Sequence, residues 1–268
     1  MRIALLTSQQ VPSSQSVTRD CLTLLASWGA SVDVLHHEEG LTDLVHLPVE
    51  HDLYLLKSPS PDAVSLAAAL EARGALCLNR PAMLWACHDR IHTTALLAAA
   101  GVPVPRTWTT KNAAELAGLL DDGPLVIKTA ALDRSAGARV IWDADEIVDL
   151  PHEAVLAQQF HPSDHRDRKL YRIGSQTFGV KRSWPATSYE STVGEPFAVT
   201  PEMREITDRV GAAFNSDLFG LDLVEAEEGL LVVDVHPFPG FKGVPDAALR
   251  LADYIYARGK EALECPPN

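Results

Sequence analysis

Two aspartates stand inside apolar runs near the end of this chain. Asp222 interrupts Phe219-Gly-Leu-Asp-Leu-Val, and Asp234 interrupts Leu-Leu-Val-Val-Asp-Val, with His236 two residues beyond it. Between the runs lies Glu225-Ala-Glu-Glu-Gly229, a polar stretch ending in glycine. Apolar runs on either side of such a stretch fold as a β-hairpin, which sets both carboxylates on adjacent strands. Neighbouring carboxylates in apolar surroundings repel each other unless a cation sits between them. Mg²⁺ suits the task, because it takes oxygen ligands and is usually held by one or two carboxylates together with substrate phosphates. The two-residue period of a strand places Asp234 and His236 on one face, so His236 is a third candidate ligand. The alternative is a pair of strand-end aspartates that cap turns.

Lys128 closes the run Pro124-Leu-Val-Ile-Lys128. A lysine directed inward from such a strand is costly unless an anion meets it; otherwise it snorkels from an edge strand. The segment that follows, 129–137, is rich in small residues and is expected to fold over phosphates with its backbone N–H groups, although it holds a single glycine. Two other clusters carry less. His36-His-Glu-Glu39 follows a strand pattern and reads as a solvated loop rather than a metal site. Gly174-Ser-Gln-Thr-Phe-Gly179 lacks the strand-to-helix setting of a nucleophile elbow, so no serine-hydrolase reading survives.

The elements that must position these residues follow from hydrophobic period and turn residues. Strands are predicted at Arg2 to Leu6, Ser31 to Leu35, Leu53 to Leu56 and Ala75 to Leu78, with helices over Val17 to Gly29 and Pro61 to Arg73. This order implies a small α/β layer with a partly parallel sheet. A helix is predicted over His88 to Ala100, closed by Gly101, Pro103 and Pro105, and a short one over Ala113 to Leu120. Strands follow at Pro124 to Lys128, Ala138 to Trp142 and Val155 to Phe160. Hairpins are expected around Gly174-Ser-Gln176 and between Leu218 and Val235. Helices are expected over Pro201 to Phe214, N-capped by Thr200, and over Pro245 to Arg258.

Composition narrows the partners. The chain has 268 residues, about two structural units on a prior of roughly 150 residues each, and a net charge of −13. With seven lysines among 23 basic residues it lacks the cationic footprint for gripping nucleic acid or an anionic membrane. Any anionic ligand must be held by a few local cations. The apolar run after Met1 is too short for a signal peptide, and no stretch is long enough to span a bilayer. Cys21, Cys77, Cys87 and Cys265 show no metal or disulfide spacing and are expected as reduced thiols in a cytoplasmic protein.

Taken in order, these segments resemble the ATP-grasp superfamily, nearest its RimK-like ligases and its inositol-trisphosphate-kinase-like branch. The resemblance covers about Asn79 to Leu251. Asn79-Arg-Pro, Asp89-Arg90 and Leu97-x-x-x-Gly101-Val-Pro-Val-Pro105 look like the helix leading into the nucleotide site and its exit turn. Arg90 stands where the family usually has a nucleotide-binding lysine, and Lys128 matches the second such lysine. Ala157-Gln158-Gln159-Phe160 is similar to the hinge whose backbone reads adenine. Lys169 and Arg182 fall at cationic family positions on the next strand pair, and the final hairpin matches the metal site.

The resemblance implies an α/β (α+β) ATP-grasp fold with a pre-ATP-grasp domain at 1–81, a central ATP-binding subdomain at 82–158 and a C-terminal subdomain with the metal site at 159–268. It implies ATP and Mg²⁺ as cofactors, with Mn²⁺ as an alternative ion. Two positions depart from the family pattern: His236 replaces the asparagine of the metal triplet, and Gln159 replaces the hinge glutamate. Imidazole suits Mn²⁺ or Zn²⁺ better than Mg²⁺. The implied activity is ATP-dependent carboxylate–amine (or carboxylate–thiol) ligation through an acyl phosphate, on a small molecule or peptide. Lys128 and Arg90 would neutralise phosphate charge and Arg182 the transferring group. The alternatives are a kinase acting on a hydroxyl and a nucleotide-binding protein without turnover. A kinase for a polyphosphate needs converging cations, for which the candidates are Lys57, Arg139, Lys181, Arg182 and Lys242. Lys57-Ser-Pro-Ser-Pro61 is the most suggestive loop for the acceptor pocket; an oligomer is compatible with all of these.

Overall fold

The computed structural model describes the chain apart from residues 8–15, 37–40, 59, 130–137, 151–153, 163–165, 184–192 and 265–268, and apart from the side chains of 148, 149, 166 and 183. The described residues form three sheets. The first has order β2-β1-β3-β4, all parallel, from β1 (Arg2–Thr7), β2 (Ser31–His36), β3 (Leu53–Leu56) and β4 (Cys77–Leu78). β1 and β3 are apolar on both faces and almost wholly buried, as central strands of a parallel sheet must be. Helices α1 (Val17–Ser27) and α2 (Pro61–Ala72) make the crossovers, and Ser60 caps α2 by accepting from the Ala63 N–H.

The helix predicted over His88 to Ala100 forms, and a helix that the sequence did not reveal precedes it. α3 spans Pro81–His88 and α4 spans Arg90–Ala99. Asp89 between them has extended backbone, and its carboxylate accepts from the Ile91 and His92 N–H groups at 2.8 and 3.1 Å. It is thus the N-cap that starts α4. The segment Ala113–Asp122 is a 3₁₀ helix rather than an α-helix, and Cys77–Leu78 is shorter than the strand expected there.

The second sheet is antiparallel, order β5-β8-β6-β7, from β5 (Thr107–Thr110), β6 (Leu125–Thr129), β7 (Ala138–Ile141) and β8 (Val155–Gln159). The third is also antiparallel, order β11-β10-β9-β12-β13. Its strands are β9 (Arg166–Ile173), β10 (Gln176–Ser183), β11 (Glu195–Phe197), β12 (Leu218–Ala226) and β13 (Gly229–His236). Both hairpins read from the sequence form, with Gly174 (φ 58°) and Gly229 (φ 126°) supplying the left-handed turn residues.

Two helices fix this sheet in space. α5 (Pro201–Phe214), capped by Thr200, buries Met203, Ile206 and Val210 against Leu170, Phe219 and Leu221 and against α3 and α4. The last helix, α6, runs over Ala247–Glu264, six residues beyond its expected end. Its Leu251 and Ile255 share one core with Ile3, Leu5 and Leu53 of the first sheet and with Tyr171, Ile173 and Val180 of the third. That common core brings the end of β3 alongside the end of β13.

Candidate active site

Asp222 and Asp234 stand directly opposite each other on β12 and β13. Directly opposed residues share a face of an antiparallel pair, and the two-residue period adds His236 to it. One ligand atom from each of Asp222, Asp234 and His236 lies within 4.8 Å of the others. The neighbours Leu221, Leu223, Val232 and Val235 face the core, which holds the three polar side chains in a fixed orientation. Two hard carboxylate oxygens and one imidazole nitrogen at this spacing fit a divalent ion.

Cations surround the triad. Lys169 on β9 pairs across from Asp222; its Nζ donates to Asp222 Oδ1 and lies 3.2 Å from Asp167 Oδ2. Arg182 on β10 faces Asp167 in register and bonds it at 2.9 Å. Burial, with the charge of Asp222 added, pushes the Asp167 carboxyl up to about 6 despite the opposing pull of Arg182 and His236. From the second sheet, Lys128 Nζ reaches the carbonyl of Val233 at 2.9 Å. Burial lowers the pKa of Lys128 and Arg90 adds to this, while Asp234 and Asp222 act to raise it. An ammonium desolvated in this way gains most from an arriving anion. Arg90 donates to the Thr129 carbonyl at 2.7 Å, so it holds the end of β6 next to Lys128; it is not among the residues that line the cleft.

The second and third sheets enclose a cleft of about 770 Å³. Lys128, Gln158, Gln159 and Phe160 line one side, and Asp167, Lys169, Arg182, Asp222 and Asp234 the other. At the end of β8, the N–H groups of Gln159 and Phe160 donate to the carbonyls of Arg106 and Pro124 at 2.9 and 3.0 Å. His161, which follows, also lines the cleft. The Gln158 amide is buried and donates to Thr107 Oγ1 at 3.4 Å. Trp142 is 59% exposed at the cleft wall, its ring 5.5 Å from that of Phe160. A smaller cavity of about 360 Å³ adjoins the cleft, lined by Lys57, Ser58, Tyr171, His236 and the 237–240 turn. Lys169 and Arg182 line both.

The fold thus gathers Lys128, Gln158, Gln159, Phe160, Lys169, Arg182, Asp222 and Asp234 around one cleft, with His236 at its junction with the second cavity. Of the proposed acceptor cations, Lys57 and Arg182 line the cavities; Arg139, Lys181 and Lys242 are not among the described lining residues, and Arg139 lies 3.5 Å from Glu146. The small-residue loop at 130–137, His37 to Glu39, His165 and Cys265 lie outside the described residues. Sequence reasoning missed Asp167 and Trp142. Strand parity carries a signal for Asp167, since 167, 169 and 171 share a face; Trp142 ends an apolar run and carries none.

Residues 87–255 match the RimK-like ATP-grasp domain. A protein of Mannheimia succiniciproducens named a probable alpha-L-glutamate ligase is 27% identical over 214 residues, 71% of each chain. One of Haemophilus influenzae with the same name is 25% identical over 218 residues, 71% of this chain and 70% of its own. Among solved structures, the RimK domain protein ATP-grasp from Sphaerobacter thermophilus superposes with a TM-score of 0.78 at 20% identity, covering 95% of this chain and 99% of its own. D-alanyl-alanine synthetase A from Vibrio cholerae superposes at 0.73 and 16% identity, covering 98% of each. The ATP-grasp ligase PsnB, solved with a minimal precursor, Mg and ADP, superposes at 0.74 and 15% identity, covering 96% of this chain and 97% of its own. With the fold shared along nearly its whole length and the domain matched over well over half of it, the chain belongs to the RimK-like ATP-grasp family.

Proposed function

We propose that the larger cleft binds ATP and the smaller cavity the carboxylate that ATP activates. The reaction class comes with the family: this is an ATP-dependent, ADP-forming carboxylate–amine ligase. The observation that carries the site assignment is that Lys169 and Arg182 line both cavities beside Asp222 and His236. A phosphoryl group leaving one cavity for a carboxylate in the other would pass these cations.

In this reading Asp222, Asp234 and His236 hold the divalent ion, Mg²⁺ or Mn²⁺, which when bound neutralises phosphate charge. Lys128 supplies a desolvated positive charge at the phosphates, and Arg90 keeps β6 and Lys128 in place. Gln158, Gln159, Phe160 and the peptide at His161 form the wall for the base, with Trp142 at its edge. Arg182, oriented by Asp167, steadies the transferring group and then the acyl phosphate. The amine attacks that acyl carbon and phosphate leaves, so no protein nucleophile is needed. The division of labour corresponds to units at 1–81, 82–158 and 159–268, the first shaping the acceptor cavity through Lys57 and Ser58.

The relatives' name makes L-glutamate the first amino acid to try, and the peptide complex of PsnB makes a peptide the second class. No described helix is long and apolar enough to cross a membrane. Use of ATP and the buried free thiols Cys21 and Cys77 favour the cytoplasm. The test is product analysis with γ-labelled ATP, Mg²⁺, L-glutamate and a panel of acids and peptides. Free labelled phosphate that appears only when an acid and an amine are both present supports ligation. Label retained on a hydroxyl would instead indicate a kinase.

A further inference from the structure

The turn 237–239 leaves His236 directly, and two of its three residues are prolines without an N–H. Its carbonyls are met from the first sheet instead. Asn79 Nδ2 donates to the carbonyl of Pro237. Lys57 Nζ donates to those of Phe238 and Pro239 at 2.9 and 3.2 Å, and lies 4.7 Å over the Phe238 ring. Asn79 also donates to the carbonyl of Leu218 at 2.6 Å, and its Oδ1 accepts from Ser216 Oγ at 3.0 Å. It therefore ties the first residue of β12 to the exit of β13.

The opposite side of the turn is equally confined. Pro239 rests on Gly220, the residue paired with His236, where a Cβ would come within 3.1 Å of Pro239 Cγ. Phe241 is fully buried, with ring centroids 5.6 Å from Tyr171 and 6.2 Å from Phe238. The turn can shift toward neither side without losing packing or leaving these half-buried carbonyls unpaired.

We propose that Lys57 and Asn79 are positioning residues for the metal site. Standing one residue beyond β3 and β4 of the first sheet, they fix three consecutive carbonyls and so keep His236 within reach of Asp222 and Asp234. This rests on the reading of those three residues as metal ligands. Partners that orient a ligand typically change metal affinity by about 10- to 100-fold when removed.

The test is Mn²⁺ binding in the presence of ADP, followed by water-proton relaxation, which separates Mn²⁺ on the protein from Mn²⁺ on free nucleotide. Lys57→Met keeps the apolar stem and removes the donors; Asn79→Asp keeps the shape and removes the amide donor. Each variant, shown to be folded by circular dichroism at the measuring temperature, is expected to bind Mn²⁺ on the order of tenfold more weakly than the parent. If Asn79→Asp does not fold, Lys57→Met alone decides. A folded Lys57→Met with Mn²⁺ affinity within twofold of the parent overturns the proposal, even if its melting temperature falls. Absence of protein-bound Mn²⁺ in the parent overturns the metal-ligand reading and this proposal together.

Discussion

Asp222 and Asp234 oppose each other across β12 and β13, yet their environments differ. Asp222 holds Lys169 with Oδ1 and lies 3.1 Å from His236 Nε2 with Oδ2. Asp234 Oδ1 accepts from the N–H of Val235 at 2.9 Å. The repulsion expected between two carboxylates in apolar surroundings is thus relieved unequally: Lys169 compensates Asp222 directly, and Lys128 acts on Asp234 at longer range.

The two aspartates should therefore separate when neutralised one at a time. Asp234→Asn is expected to abolish metal-dependent turnover while leaving the melting temperature without metal unchanged or slightly higher. Asp222→Asn should also abolish turnover but lower stability, by about 1.5–3 kcal/mol, the usual value for a hydrogen bond to a charged group. Lys169 retains Asp167, which keeps the loss short of a fully broken buried pair. Denaturant unfolding of both variants without metal checks this; equal destabilisation would contradict the asymmetry.

Lys128→Ala is expected to weaken ATP binding by about 1.5–3 kcal/mol, the range for a charge-assisted hydrogen bond. The half-buried Lys128 ammonium spends one bond on the Val233 carbonyl and has no carboxylate within ion-pair distance among the described residues. Calorimetry with ATP measures the loss. Unchanged affinity would remove Lys128 from the phosphate site.

His236 stands where the family resemblance implies an asparagine, and such an exchange has a directional consequence. Imidazole nitrogen suits Mn²⁺ better, whereas an amide oxygen suits the harder Mg²⁺. His236→Asn should shift the ratio of turnover with Mg²⁺ to turnover with Mn²⁺ toward Mg²⁺. If the residue instead touches the substrate, KM for the carboxylate should rise and the metal ratio stay fixed.

Stability should decline in alkali through Cys21 and Cys77. Burial pushes both thiols up to about 12, with Glu71 adding to the effect at Cys77 against Arg80. The unfolded chain ionises these thiols near their usual pKa, so above about 8.5 it releases protons that the folded chain keeps. The stabilisation is complete below that pH and is lost as pH rises toward 12, by at most about 1.4 kcal/mol per pH unit for each thiol. A Cys21→Ala/Cys77→Ala variant should show a shallower fall in unfolding free energy between pH 9 and 11. An unaltered slope would show that other groups set it.

Much of the site was legible because it lies on strands whose apolar period is local. The Asp222–His236 hairpin, Lys128 and the Gly174 turn follow from residue type and spacing within a few positions. What escaped depends on pairing between distant segments. Asp167 matters because Arg182 and Lys169 meet it across β9 and β10, and Trp142 because β7 ends at the wall formed by β8. The grip of Lys57 and Asn79 on the 237–239 turn spans some 160 to 180 positions of chain and exists only once α6 has joined the first and third sheets in one core. Helix α3 escaped for another reason: Pro81-Ala-Met-Leu-Trp-Ala-Cys87 is an unbroken apolar run that shows no helical period.

The central claim is that a carboxylate in the smaller cavity is phosphorylated by ATP before an amine displaces phosphate. Oxygen tracing tests it most directly. Carboxylate substrates enriched in ¹⁸O, drawn from the acids and peptides that support phosphate release with L-glutamate, are incubated with the chain, ATP, Mg²⁺ and unlabelled L-glutamate, and the released phosphate is analysed by mass spectrometry. An acyl phosphate leaves one carboxylate oxygen on phosphorus, so about one ¹⁸O per turnover is predicted in phosphate, matched by its loss from the ligated product. Phosphate free of ¹⁸O alongside product formation would contradict the account.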